Sequence, residues 1–339
     1  MAAISVCMIV KNEEKVLKRC LDSLKGLWEE LIIVDTGSTD ATKQIAKAYT
    51  DKVYDFSWTG NFSDARNYSF SKASCDYIYS ADADEVLDEE NREKFQILKN
   101  ALSADSEIEI VQMYYGNQLS QNSIYNFDKE YRPKLYKRVR KFIWQEPIHE
   151  AVRLEPVVFD SDIIIWHKPH GQHGARDLTY FEKMLEQGEI LSDRIRDIYL
   201  RELYFIGDVH NLKKGHEYLV EISEQEDADS DVFQKAIAIL CKEARILQKD
   251  SDILKYSLKG VASKGSSELC MELGHYFYEK EEWNEAVIWY YNAAYETSCQ
   301  MSLKAATTEP LTQIIACYEK LGMSEVAEDY RKQLEEIMQ

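Results

Sequence analysis

The sequence predicts an α/β domain built on an open parallel sheet, followed by an all-α domain of paired helices. In the first half of the 339 residues, short apolar runs alternate with segments of helical periodicity. This alternation is typical of parallel strands joined by helices. Strand signals cease after about Arg176, and no proline occurs from 176 to 309. Because proline interrupts helices, that stretch can be almost entirely helical. We therefore place the two domains at 1–174 and 175–339.

Apolar runs and periodic stretches locate the elements of the first domain. The strands predicted for the parallel part are 4–10, 31–34, 52–56 and 76–80. Helices are expected between them: one capped by Asn12, with its apolar stripe from Val16 to Leu24, and two more at 41–49 and 64–72. Further strands are expected at 107–115, 133–138, 151–154 and 162–166. These later strands should complete the domain as a mixed sheet.

One segment of the second domain, 270–298, has the residue spacing of a tetratricopeptide repeat. Its small residues Gly274, Ala286 and Ala293 alternate with the aromatic residues Phe277 and Tyr290, an arrangement that lets paired helices approach closely. Weaker copies occur at 202–219 and 311–334. The alanines at 286 and 327 are 41 residues apart rather than about 34, which indicates an insertion. An irregular helical bundle is the alternative.

Composition and charge exclude several classes of protein. Hydrophobic residues make up 45% and charged residues 30% of the chain, as in globular domains rather than disordered chains. The formal net charge is −19, so we expect no nucleic-acid partner, because phosphate backbones would be repelled. No apolar run reaches the roughly 20 residues that span a bilayer, and the apolar start lacks the basic segment of a signal peptide.

The seven cysteines are scattered, and no CxxC spacing occurs. This pattern indicates neither a disulfide framework nor a zinc ribbon. We therefore expect a protein of the reducing cytoplasm. The sequence leaves open whether the chain forms a homo-oligomer.

Polar residues follow three of the predicted strands, at the edge where open parallel sheets bind ligands. Lys11–Glu13 follow the first strand, Asp35 the second, and Asp82 and Asp84 the fourth. Residues i and i+2 of an extended segment point to the same side, and two carboxylates that close favour a bound cation. We predict a divalent-metal and nucleotide site here. The alternative is a solvated acidic loop, since the acidic run continues to Glu90.

Four motifs together resemble the family 2 glycosyltransferases with the GT-A fold. They are SVCMIVKNEE at 5–14, IIVDTGSTD at 32–40, FSDARN at 62–67 and YSADADE at 79–85. The likeness covers about residues 1–170. It is stronger to a bacterial subgroup in which tetratricopeptide-like helices follow this Rossmann-like nucleotide-sugar-binding domain. That subgroup includes the sublancin-type peptide S-glycosyltransferases and transferases of the lipopolysaccharide-core type. The resemblance implies an inverting transferase that uses a UDP-sugar with Mg²⁺ or Mn²⁺.

The resemblance also assigns roles to individual positions. Asp35 would bind the uracil, and main-chain groups near Val10 would line the base. Arg66 would bridge Asp35, the base and Asp82; a salt bridge that only orders the loop is the alternative. Asp82 would contact the ribose or a metal-bound water, and Asp84 would ligate the metal directly.

The segment WQEPIHE at 144–150 resembles the part of the subgroup that carries the catalytic base. Glu150 is the predicted general base, which takes the proton of the acceptor. His149 beside it is predicted to contact substrate or phosphate, and Glu146 is the competing acid. A hairpin with exposed acids is the alternative.

Three of the seven histidines lie together at 167, 170 and 173. His167 directly follows a predicted strand, where related GT-A enzymes place a further metal ligand, and it is predicted to act as one. His170 and His173 are predicted to belong to a lid over the diphosphate. The sequence does not decide which of the three touches metal or diphosphate.

The sequence therefore predicts a metal-dependent inverting glycosyltransferase whose acceptor is a protein or peptide side chain bound by the helical repeats. One alternative is the same chemistry on a saccharide or lipid-linked acceptor. A second is a non-catalytic scaffold built on the helical repeats. The identity of the sugar and the choice between S- and O-linkage stay open.

Overall fold

The computed structural model describes residues 1–103, 106–116, 130–148, 151–152, 157–168, 174–228 and 230–338. The chain divides into two compact units, Met1–Gln172 and His173–Gln339. The first unit combines strands and helices, and the described part of the second is helical. The α/β class followed by an all-α class is therefore as predicted.

The first unit contains ten strands within its described residues. They are β1 (Ile4–Val10), β2 (Glu30–Asp35), β3 (Val53–Asp55), β4 (Tyr77–Ala81), β5 (Glu85–Val86), β6 (Ile110–Gly116), β7 (Glu130–Lys137), β8 (Trp144–Gln145), β9 (Ala151–Val152) and β10 (Val158–His167). Eight of them form one mixed sheet in the order β3-β2-β1-β4-β7-β6-β10-β5. The strands β1 to β4 run parallel, and β7 is antiparallel to both of its neighbours. The strands β8 and β9 pair with each other.

Helices cover both faces of this sheet, as strands buried on two sides require. They are α1 (Leu17–Leu24), α2 (Thr42–Lys47), α3 (Phe62–Ser71) and α4 (Glu89–Ala101). One apolar cluster joins Met8 of β1 to Leu17 and Leu21 of α1. The other joins Ile32 of β2 to Phe70 of α3. Burying each such side chain stabilises the unit by about 1.5–3 kcal/mol relative to exposing it.

The sheet curls back on itself, and the connection between β4 and β5 demonstrates this. Only residues 82–84 separate the two strands, and four Cα–Cα steps reach at most about 14 Å. In the sheet order, however, β5 lies four strands from β4, which is about 19 Å across a flat sheet. The sheet therefore brings its β5 edge round towards the end of β4.

One feature of this unit differs from the expectation, and one alternative is excluded. Asn12 does not cap α1: its φ is 57°, and its side-chain oxygen accepts the Thr39 N–H at 2.8 Å instead. Asparagine adopts this left-handed conformation more readily than most residues. The alternative of a solvated acidic loop does not hold beyond residue 84, because Glu85 is buried in β5 and Asp88 accepts the Asn91 N–H at 3.0 Å and caps α4.

The second unit is built from consecutive helices, and all of their connections except the one at 292–307 are short. They are α5 (Gly174–Glu186), α6 (Asp193–Phe205), α7 (Val209–Gln225), α8 (Asp231–Ile246), α9 (Asp250–Val261), α10 (Ser267–Glu279), α11 (Trp283–Tyr291), α12 (Thr308–Lys320) and α13 (Ser324–Met338). Within the described part of the chain, no helix combines the length and apolarity needed to cross a bilayer.

The tetratricopeptide-like pair is α10 and α11, and Gly274 allows it to form. A Cβ on Gly274 would lie 2.4 Å from the Tyr290 ring, so only glycine permits this approach. The predicted insertion lies between α11 and α12, where a π-helical turn at Asn292–Glu296 and a short 3₁₀ helix at Leu303–Ala306 occur. The buried carboxylate of Glu268 accepts the N–H groups of residues 300–302 there.

Candidate active site

Three strands end at one edge of the sheet, where the sequence places its polar motifs. Residues Val10 of β1 and Asp35 of β2 stand opposite each other, and Met8 of β1 is opposite Ala81 of β4. The segments that follow these strands are therefore neighbours. Asp35 and Asp82 thus lie at the same carboxyl edge, where open parallel sheets bind ligands.

Asp35 is almost fully buried, and only one of its two carboxylate oxygens accepts hydrogen bonds from the described residues. Its Oδ1 accepts the N–H groups of Gly37 and Ser38 at 3.0 and 2.9 Å. Its Oδ2 is buried and has no hydrogen-bond partner among the described residues. An unpaired buried acceptor costs about 1–3 kcal/mol, so this oxygen is suited to accept a hydrogen bond from a ligand. The Val10 carbonyl accepts the Thr36 N–H at 3.0 Å. This hydrogen bond holds the segment that follows β2 against the end of β1.

Arg66 of α3 fixes Asp82, the first acid of the DxD motif formed by residues 82–84. Its Nη2 donates to Asp82 Oδ1 at 2.8 Å, and its Nη1 donates to Ser80 Oγ at 3.2 Å. The guanidinium also lies 4.7 Å from the centre of the Trp144 ring. Although burial acts in the opposite direction, the charges of Arg66 and Lys134 hold the pKa of Asp82 well below its usual range. Asp82 is therefore an ionised acceptor in a fixed orientation.

The second acid, Asp84, meets His167. Asp84 Oδ2 lies 3.0 Å from His167 Nε2, and the backbone carbonyl of Asp84 accepts the Lys168 N–H at 3.0 Å. The pairing of β5 with β10 sets this position, because His167 stands opposite Glu85. Both side chains are partly exposed, at 16% and 22%. His167, the predicted further metal ligand, thus lies beside Asp84.

The donor set of Asp84 and His167 fits a divalent cation, because carboxylate oxygens suit Mg²⁺ and Mn²⁺ and imidazole suits other divalent transition metals. In the structure the two side chains lie within hydrogen-bonding distance of each other, at 3.0 Å, so a cation would have to replace that contact. Within the described residues, no group of three or more His, Cys, Asp or Glu side chains is arranged to hold a metal. Asp84 and His167 alone would therefore occupy only part of the coordination sphere of a cation.

A buried ion pair between Lys134 and Glu85 contacts the backbone of the DxD turn. The motifs do not predict this pair. Lys134 Nζ of β7 contacts both carboxylate oxygens of Glu85, at 2.7 and 3.0 Å. Glu85 Oε2 also accepts the Asp82 N–H at 3.1 Å. Burial raises the pKa of Glu85 and the Asp82 charge adds to this, while the Lys134 ammonium opposes it. The position of Glu85 within DADE was the only sequence signal for this pair.

The helix α3 also holds the segment that precedes the predicted base. Asn67 forms a reciprocal pair of hydrogen bonds with the Trp144 backbone, at 2.8 Å to its N–H and 3.0 Å to its carbonyl. Phe62 N–H donates to the Pro147 carbonyl at 2.9 Å, and Ser63 Oγ donates to the Glu146 carbonyl. The FSDARN motif therefore orders both the DxD turn and residues 144–147.

Several predicted residues lie outside the described part of the chain. They are the predicted base Glu150, its neighbour His149, and the two lid histidines His170 and His173. The described residues on either side, Trp144 and Val152, stand opposite each other in the β8–β9 pair. The roles of Glu150 and His149 stay predictions.

Comparison with known proteins agrees with the motif pattern. The family model described as Glycosyl transferase family 2 matches residues 5–153. The SPbeta prophage-derived glycosyltransferase SunS of Bacillus subtilis is 27% identical over 252 residues, which are 69% of this chain and 57% of SunS. A TPR repeat-containing protein of Synechococcus elongatus is 46% identical over 87 residues, or 26% of this chain and 22% of that protein. The chain thus spans less than two thirds of either relative.

Among solved structures, one similar chain is glucosyl-3-phosphoglycerate synthase of Mycobacterium tuberculosis in complex with Mn²⁺ and UDP-glucose. The superposition covers 56% of this chain and 81% of that chain. The sequence identity is 15% and the TM-score is 0.39.

Proposed function

We propose, from the match of residues 5–153 to the family model described as Glycosyl transferase family 2, that the chain transfers a sugar from a UDP-sugar to a protein or peptide side chain with the help of a divalent cation. The observation that carries the proposal is the Asp84–His167 pair, 3.0 Å apart at the end of the DxD turn. A leaving diphosphate gains negative charge as the glycosidic bond breaks, and these residues are suited to hold a cation against it.

The donor is proposed to be a uridine nucleotide because of Asp35. Its Oδ2 is a buried acceptor without a partner among the described residues, and uracil offers one imide N–H donor. The neighbouring Val10 carbonyl is already engaged by Thr36, so the base would lie against a preformed main-chain turn. Asp82, held by Arg66, supplies an oriented acceptor for a hydroxyl of the donor.

Asp84 and His167 would hold Mn²⁺ or Mg²⁺, which supplies positive charge to the diphosphate. The acceptor oxygen or sulfur bonds to the anomeric carbon and gives its proton to a carboxylate, for which Glu150 is our candidate. The bond from the anomeric carbon to the β-phosphate oxygen breaks, its electron pair leaves with UDP, and the anomeric configuration inverts. Helix α3 positions the segment before Glu150 through Asn67 and Ser63.

A polypeptide acceptor is proposed because of the helical unit. The alignment with SunS covers 69% of this chain, which is more than the 172 residues of the first unit. The likeness therefore extends into the helices, and a single saccharide acceptor needs no such array. A cytoplasmic location is also proposed, since all seven cysteines are free thiols and five of them are buried.

The test is a screen for UDP release across UDP-sugars, with Mn²⁺ and with EDTA. We expect slow hydrolysis of at least one UDP-sugar in the presence of metal and none in EDTA. The acceptor is tested with a truncated protein, residues 1–174, after its UDP binding has been verified. It should hydrolyse the donor but fail to glycosylate protein. Full transfer to protein without the helices would favour the saccharide-acceptor alternative.

A further inference from the structure

We infer that Lys134 and Glu85 are positioning residues for the proposed metal site: their buried ion pair holds the DxD turn in the shape that presents Asp82 and Asp84 to metal and donor. This inference rests on the proposed function. The pair is among the least exposed charged groups of the unit, at 6% for the Lys134 side chain and 3% for Glu85. Neither residue has a role assigned by the four motifs.

The geometry links the ion pair to the backbone of the turn. Glu85 Oε2 accepts the Asp82 N–H at 3.1 Å, while the Glu85 N–H donates to the Asp82 carbonyl at 3.2 Å. Cys20 Sγ donates to the same carbonyl at 3.3 Å. Asp82 is therefore held at three points: its N–H by Glu85, its carbonyl by Glu85 and Cys20, and its carboxylate by Arg66. Removing the Glu85 side chain would leave the Asp82 N–H without this acceptor.

Lys134 keeps Glu85 in place from a distant part of the chain. It lies on β7, and in the sheet order β6 and β10 separate β7 from β5. The ammonium nevertheless contacts both oxygens of Glu85, because the curl of the sheet brings the two strands together. The same β5 residue stands opposite His167 in the β5–β10 pair. Glu85 therefore connects both acids of the motif to the strand that carries the histidine.

A buried ion pair alone could serve only stability, so the test separates the two roles. Replacing both members of a buried pair by apolar residues is often neutral for stability. The double variant K134M/E85L should therefore regain much of the melting temperature that K134M loses. It cannot regain the acceptor for the Asp82 N–H. A positioning role predicts that metal binding stays impaired in the double variant although its stability recovers.

Mn²⁺ affinity is measured by electron paramagnetic resonance of free Mn²⁺ in the presence of UDP, together with thermal melting. We expect K134M and E85L each to weaken Mn²⁺ binding by roughly 10–100-fold, as loss of supporting groups around metal ligands does. E85Q, which keeps an oxygen for the Asp82 N–H, should lose less than E85L. K134R should stay within about threefold of the wild type, because arginine also binds carboxylates at two points.

Lys99 provides a matched control. Its side chain is 4% exposed and pairs with Glu29 at 2.6 Å in the same unit, away from the DxD turn. K99M should lower the melting temperature while leaving Mn²⁺ and UDP affinity unchanged. Wild-type Mn²⁺ affinity in K134M/E85L, or in E85L, would overturn the inference. If the wild-type protein binds UDP but no Mn²⁺, the metal part of the proposed function fails instead, independently of this pair.

Discussion

Oδ2 of Asp84 and Nε2 of His167 lie 3.0 Å apart although the two residues are 83 positions apart in the chain. The contact exists because the two-residue strand β5 pairs with the end of β10. The two side chains lie within hydrogen-bonding distance of each other, and both remain partly exposed. This pair defines where the proposed cation would sit.

Asp35→Asn should weaken UDP binding without destabilising the fold. Asparagine can keep the two hydrogen bonds from Gly37 and Ser38 through its oxygen. The amide NH₂ of asparagine would then face the imide N–H of uracil. Both groups are donors, so neither finds an acceptor. Such a mismatch costs about 1–3 kcal/mol, or roughly 5–150-fold in affinity. Calorimetric titration with UDP measures it, and an unchanged affinity would remove Asp35 from base recognition.

Asn67→Ala should reduce transfer more than it reduces donor binding. The substitution removes two hydrogen bonds to the Trp144 backbone, worth about 1–3 kcal/mol of stability together. We expect kcat for transfer to fall while the dissociation constant of UDP changes little. Equal losses in both quantities would mean that Asn67 supports the donor side through Arg66 and Trp144 rather than the segment before Glu150.

Glu150→Gln tests the predicted base. If Glu150 takes the proton of the acceptor, the variant should lose most of kcat yet bind UDP nearly as well as the wild type. The matched variant Glu146→Gln should have a mild effect. The reverse order would identify Glu146 as the base. A modest loss in Glu150→Gln alone would indicate a thiol acceptor, since a thiol is partly ionised near neutral pH and needs less help from a base.

The long apolar strands could be predicted from the sequence because their signal is local. The run at 4–10 is β1 without any shift, and the run at 31–34 lies inside β2. Helix α3 and the strand that ends before Asp82 were likewise placed to within two residues. In each case the burial of a continuous apolar run or stripe fixes the element, and no distant partner is needed.

The strand β5 and the Lys134–Glu85 pair could not be predicted in the same way. Two residues have no periodicity, and β5 exists only through its pairing with β10. The ion pair depends on the curl of the sheet, which follows from the strand order and not from any one segment. Asn12 shows the opposite error. Its sequence position suits a helix cap, but the nearby Thr39 N–H is the group its side chain reaches.

The most direct test of the account is the effect of Mn²⁺ on UDP binding, measured by titration calorimetry with the wild-type protein, Asp84→Ala and Asp162→Ala. Asp162 is the control, because its side chain is 79% exposed on β10 and contacts Lys94. We predict that Mn²⁺ tightens UDP binding by the wild type and by Asp162→Ala at least about tenfold, which corresponds to about 1.4 kcal/mol. Asp84→Ala should lose this gain and bind UDP as weakly with Mn²⁺ as without it. Equal gains in Asp84→Ala and the wild type would contradict the assignment of the metal to the Asp84–His167 pair.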